Sequence, residues 1–117
     1  MMKIFDYVSE VDGHPITPAI KGPPTKWGSI QEMFEEVYSH EQEVTKSIHK
    51  LVALAKSEDD YTTFEFLQWY VMEQREEEDQ ARTVLDRIKI IGGGPQSLYF
   101  IDKEVEAILA AATAAEE

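Results

Sequence analysis

Two long stripes of apolar residues at helical spacing, joined by a short polar turn, constrain this chain more than any other feature. Ile30, Met33, Phe34, Val37, Val44, Ile48, Leu51, Val52 and Ala55 recur in steps that mark one buried face of a helix. After Lys56-Ser57-Glu58-Asp59-Asp60 the pattern resumes with Phe64, Leu67, Tyr70, Val71, Ala81, Val84, Leu85, Ile88 and Ile91. So short a turn sends the second helix back antiparallel beside the first. No β-type alternation competes anywhere in the sequence, and the fold class is all-α.

The flanking segments are simpler. Residues 1–12 carry Met1, Ile4, Phe5, Val8 and Val11 on one face, the end of a helix that Asp12-Gly13 stops. Residues 13–28 contain Pro15, Pro18, Pro23 and Pro24 among glycines, which excludes regular structure and predicts an extended surface crossover. Ser29 with Glu32 predicts a capping box that opens a helix over 29–56. Its partner is expected over 60–91, stopped by Gly92-Gly93-Gly94-Pro95, and a short C-terminal helix over 97–113. A chain of 117 residues holds these as one domain, 1–117.

Composition narrows the function by exclusion. Asp and Glu number 23 against 11 Lys and Arg, for a formal charge of −12. Such a surface repels nucleic acid and anionic membranes and attracts cations. The absence of cysteine excludes disulfides, thiolate metal sites and cysteine nucleophiles. No apolar run approaches the roughly 20 residues of a membrane span. The first residues carry no signal-peptide pattern. The expectation is a cytoplasmic protein with neither nucleic-acid nor membrane partners. No nucleophile stands beside a base, and the glycine run follows no strand, so it is a stop and not a nucleotide loop.

The informative residues occupy stripe positions while being of the wrong type. Glu41 stands where the first apolar face should continue, and Gln74, Glu77 and Glu78 interrupt the second. A carboxylate on a core-facing stripe costs several kcal/mol unless it is paired or bound to a cation. The two breaks lie at similar distances from the turn, and at about 1.5 Å of rise per residue they fall side by side. Gln74 and Glu77 are i, i+3 neighbours, and Glu73 and Glu77 are i, i+4. Oxygen ligands converging inside a bundle suit a hard cation such as iron. The alternative on the same residues is a partly wet core, with Glu76-Glu77-Glu78-Asp79 a solvated face. His14, His40 and His49 form no ligand pair, and Phe66, Trp69 and Tyr70 read as core aromatics.

His40-Glu41-Gln42-Glu43-Val44-Thr45 resembles the HEQ-V-T segment of prokaryotic non-haem ferritins. Phe66-Leu67-Gln68-Trp69-Tyr70-Val71-Met72-Glu73-Gln74, followed by Arg75-Glu76-Glu77-Glu78, is similar to their FLQWYV-EQ-EEE segment. The stretches from Ala19 to Trp27 and from Leu98 to Glu104 match in order and spacing. The resemblance implies a four-helix bundle with a short fifth helix, assembled into a cage that stores ferric mineral. It assigns Glu41, Gln74 and Glu77 to a di-iron ferroxidase centre, and Glu73 and Glu76 to a neighbouring third iron site. Glu41 and Glu77 would bind Fe(II) directly, and Gln74 would orient dioxygen or a ligand. The implied cofactor is iron, as Fe2+ and Fe3+, and the implied reaction is Fe(II) oxidation by dioxygen or peroxide.

The chain also departs from that family. Its pattern begins at the last turns of the family's second helix, so the Glu of the first helix, the E-x-x-H pair and the adjacent tyrosine have no counterparts. The expectation is therefore a ferritin-like helical bundle lacking the first helix and most of the second, completed by self-association. Two hairpins paired about a two-fold axis would bring Glu41, Gln74 and Glu77 of each face to face. A cage is the other form of homo-oligomer. The competing reading is a truncated, catalytically inactive ferritin-like domain, because oxidase chemistry requires two irons held together.

Overall fold

The computed structural model describes residues 2–94 and 96–116. Met1, Pro95 and Glu117 lie outside the described residues, as does the stop read at Pro95. Four helices follow one another: α1 (Met2–Glu10), α2 (Ile30–Ser57), α3 (Tyr61–Ile91) and α4 (Ser97–Glu116). No strand occurs among the described residues, and the all-α class holds. No described helix is long and apolar enough to cross a membrane.

Local hydrogen bonds explain where the helices start and stop. The Ser29 hydroxyl accepts from the Glu32 N–H at 3.1 Å and caps α2. The Glu32 carboxylate accepts from Gly28, at 3.0 Å, where a capping box would have it return to Ser29. Just before this, Trp27 Nε1 donates to Glu36 at 2.6 Å and ties the crossover segment to the first turns of α2.

Two consecutive aspartates make the hairpin turn. Asp59 adopts a left-handed φ of 53°, and its N–H bonds to the Lys56 carbonyl at 3.2 Å. The Asp60 N–H bonds to the Ala55 carbonyl at 2.9 Å, completing the crossed bonds of a Schellman end. The Asp60 carboxylate then accepts from the Thr63 N–H at 3.1 Å and from the Thr63 hydroxyl at 2.6 Å, capping α3. One helix thus ends and the next begins within three residues, Glu58 to Asp60.

Against each other, α2 and α3 bury Ile48 and Ala55 on one side and Leu67, Ala81, Val84, Leu85 and Ile88 on the other. The two ends of this hairpin are covered by different helices. At the turn end, the Tyr7 ring of α1 stacks on Phe66 at 4.0 Å and 8°, and its hydroxyl shares a 2.8 Å hydrogen bond with Thr63. At the open end, α4 folds back so that Ile101, 2% exposed, meets Val84 and Ile88. Val105 and Ile108 of α4 pack beside them, with Ile30, Phe34 and Ile91. The last helix extends to Glu116, beyond the expected 97–113. Its Ile101, Val105 and Ile108 recur at i, i+4 and i+7, the spacing that lays one face on the stripe the hairpin leaves bare. Trp69 differs from its reading as core. It is 46% exposed on the flank of α3, with Lys3 Nζ 3.7 Å above its ring and the edge of Tyr70 against it.

The fold is under-buried for its mass. Its accessible surface is 9044 Å² at 13.4 kDa, where a compact monomer of that mass exposes about 6,500 Å². The radius of gyration is 17.7 Å, against about 13 Å for a compact domain of this length. Val37, Leu51, Leu54 and Met72 of the hairpin are more than two-fifths exposed.

The turn yields a pH-dependent expectation. The hydrogen bonds from Thr63 favour ionised Asp60 and hold its pKa below the ordinary 3.8. A depressed carboxylate stabilises the fold above its unfolded pKa and ceases to do so as pH falls through the folded value. Asp60→Ala should therefore lower the melting temperature near neutral pH, with the deficit shrinking in acid below the ordinary carboxylate range. Thermal melts of both proteins across that range check this.

Candidate metal centre

The hairpin register carries a polar contact into the middle of the helix pair. Gln74, on α3, is the buried polar residue of the stripe at 8% exposure. Its Nε2 donates to the Glu41 carboxylate at 3.2 Å, the Glu41 carbonyl at 3.1 Å and the Thr45 hydroxyl at 3.3 Å. Thr45 in turn donates to the Glu41 carbonyl at 3.0 Å. An amide buried without partners would cost about 1–3 kcal/mol, so this network answers the break in the second stripe. It also fixes the direction of the Glu41 side chain by a hydrogen bond to a charged acceptor, which is stronger than a neutral one.

Thr45 was not singled out by the sequence reasoning. The signal was present: a β-branched hydroxyl residue four positions after Glu41, on the same side of α2. The resemblance implies that Gln74 orients dioxygen or a ligand. In the structure its N–H group is directed at Glu41, so the residue it positions is the carboxylate.

A cavity of about 220 Å³ lies beside this network. Glu41 of α2 and Glu77 and Gln80 of α3 stand in its wall, among apolar residues that include Val105 and Leu109 of α4. The space is half open to solvent, Glu41 and Gln80 being half-buried and Glu77 exposed, and its two carboxylates and one amide supply oxygen donors of the kind a hard divalent cation takes.

The remaining candidates stand elsewhere. Glu76 is exposed and shares with Glu77 and Asp79 a groove of about 280 Å³ along α4. Glu73 is half-buried and belongs to the wall of neither space. Among the described residues no three of His, Asp and Glu are grouped so as to hold one ion. His14, His40 and His49 are all exposed. Glu41 thus meets Gln74 through a hydrogen bond and shares a cavity wall with Glu77, while Glu76 shares with Glu77 the groove along α4.

One turn before Gln74, the Tyr70 hydroxyl is buried with no hydrogen bond of ordinary geometry. Loss of water raises its pKa, and the nearby backbone of Ile4 offsets part of that rise. Tyr70 thus stays a neutral phenol in the same half-buried layer as the network.

Comparison with known proteins bears on the family and the fold. Residues 1–91 match the ferritin-like domain family. The chain is 39% identical over 108 residues to the bacterial non-heme ferritin of Escherichia coli O157:H7, covering 92% of this chain and 66% of that protein. It is 42% identical over 106 residues to the bacterial non-heme ferritin of Campylobacter jejuni, covering 91% and 64%. The structure matches the open pore ferritin of Archaeoglobus fulgidus with a TM-score of 0.85 and 47% identity, over 89% of this chain and 64% of that one. The chain thus spans somewhat less than two thirds of the length of these relatives. On the matched sequence and the shared helical fold, it belongs to the non-haem ferritin family.

Proposed function

We propose that this chain acts as a ferritin-type subunit that binds Fe(II), promotes its oxidation by dioxygen or peroxide, and contributes to ferric iron storage in the cytoplasm. Membership of the family supports this at the level of class. The observation that carries it to residues is the bond from Gln74 to Glu41 beside a cavity that Glu41 and Glu77 both wall.

In this reading iron is the substrate. Glu41 and Glu77 supply carboxylate oxygens to it, and Gln74, with Thr45 behind it, holds Glu41 in place. Bound Fe(II) supplies the electron that reduces the oxidant, and the carboxylates favour the ferric product through their charge. Glu73 and Glu76 extend the acidic surface outward along α3 and would receive iron leaving the centre.

Self-association belongs to the same reading. About 2,500 Å² of surface beyond that of a compact monomer is of the size one partner contributes to a large obligate interface. A symmetric dimer of hairpins and a ferritin-type cage both use that surface. The competing function is a catalytically inactive ferritin-like self-association domain. It is favoured by the lack of any three-residue ligand group among the described residues.

Two measurements separate the readings. Anaerobic titration of the protein with Fe(II) should find at least one tight site per chain, and Glu41→Ala should remove it and the oxidation that follows on admitting oxygen. An inactive domain would show neither tight site nor activity, and Glu41→Ala would leave its behaviour unchanged. Gln74→Ala should weaken Fe(II) binding about ten- to a hundred-fold, as loss of a ligand-positioning partner does. Calorimetric titration of the variant reads that change. It would also be less stable by about 1–3 kcal/mol in chemical denaturation.

A further inference from the structure

We propose that Thr45 is a positioning residue, the spare acceptor that lets Glu41 turn its carboxylate away without stranding the buried amide of Gln74. That the carboxylate is the exchangeable partner follows from the hydrogen bonds alone. That iron is what it turns to rests on the reading of Glu41 as an iron ligand.

Donors and acceptors are unequal in number around Gln74. Its amide carries two hydrogens. Among the described residues three acceptors stand around its Nε2: the Glu41 carbonyl at 3.1 Å, the Glu41 carboxylate at 3.2 Å and the Thr45 hydroxyl at 3.3 Å. Because all three accept, the nitrogen end of the amide is the one that belongs there. One acceptor is therefore surplus to a buried donor. The carbonyl is backbone and stays where α2 puts it. The carboxylate ends a flexible side chain and stands in the wall of the cavity of about 220 Å³, which gives it room to turn. It is the partner that can leave, and Thr45 is the one the amide keeps.

The chemistry of Thr45 suits it to the place. Its hydroxyl donates to the Glu41 carbonyl at 3.0 Å, four residues back in the same helix, a bond open to threonine within a helix. With its one proton committed there, the oxygen meets Gln74 as an acceptor. The branched side chain leaves that oxygen few alternative rotamers. Valine in its place keeps the shape and loses the acceptor, and serine keeps the acceptor.

A cation at Glu41 competes with the Gln74 hydrogen bond, which a charged acceptor makes strong. With Thr45 present, that competition exchanges one hydrogen bond for a weaker one. Without it, a buried N–H is left unpaired, and the full loss falls on binding. Gln74 thus sets where Glu41 rests, and Thr45 sets how readily it is given up.

The test has a metal-free arm and an iron arm, both on the whole chain. The first is a double-mutant cycle read by chemical denaturation. Glu41→Ala leaves the amide two acceptors, and so does Thr45→Val. Together they leave one, so the double variant should lower the folding equilibrium constant about ten-fold beyond the product of the single effects. Thr45→Ser in place of Thr45→Val should remove most of that excess. Gln74→Leu beneath both changes should abolish it, and should restore folding where the double variant does not fold. Single effects that simply multiply, an excess that persists with serine, or one that survives Gln74→Leu overturns the proposal. In the iron arm, anaerobic calorimetric titration with Fe(II) should show Thr45→Val binding about ten-fold more weakly than the unaltered chain, and Thr45→Ser close to it. Equal affinity in all three overturns the positioning role and leaves the metal site standing, and serine as weak as valine overturns it too. If the unaltered chain binds no Fe(II), the iron reading falls and the cycle alone decides whether Thr45 is the spare acceptor.

Discussion

The rest of the structure depends on the register of one helical hairpin, which the turn at Glu58–Asp60 sets. Asp59 in a left-handed conformation ends α2, and the carboxylate of Asp60 starts α3. A residue gained or lost there would turn one helix by about 100° relative to the other. Gln74 would then no longer face Glu41, and its amide would be buried without partners. The polar network in the middle of the pair is thus the consequence of two aspartates about four to five turns away along each helix. A turn can govern a distant contact because helices are stiff.

The second constraint is a shortage of cover. The hairpin offers a continuous face, and the chain has only a short helix for each end of it. At the turn end, α1 answers with a stacked tyrosine, and at the open end α4 answers with Ile101. Between them the face still exposes Val37 and Leu51. The acidic charge and the exposed apolar residues pull in opposite directions, since like charges keep chains apart while bare apolar area draws them together.

Much of this was legible in the sequence, for reasons particular to certain residues. The helix pair could be read because apolar side chains repeat at helical spacing over more than seven turns, a signal too long to arise from a loop. Glu41 and Gln74 stood out as polar interruptions of those stripes, and their similar distances from the turn predicted that the two breaks would lie side by side; Gln74 does bond to Glu41. The direction of the Gln74 amide was not legible, because spacing places a side chain on a face without aiming its atoms. The exposure of Trp69 was missed because aromatic residues near a stripe share its composition whether they lie inside it or on its edge. Nor could the course of α4 be read. After three glycines the direction of a helix is set by the surface it finds and not by its own pattern.

Because the hairpin turn is local in sequence, its folding has little chain to search. Helix growth and loop closure at so short a connection are events of microseconds or less, and contacts spread outward from the turn. The Glu41–Gln74 layer forms midway along that path, and the open end closes last. During synthesis α4 leaves the ribosome after the hairpin, so the hairpin can be complete before its cover arrives. For a time each new chain therefore presents a finished half with a bare end. How long that apolar end stays bare is set by the time α4 takes to emerge and fold back, not by the hairpin itself.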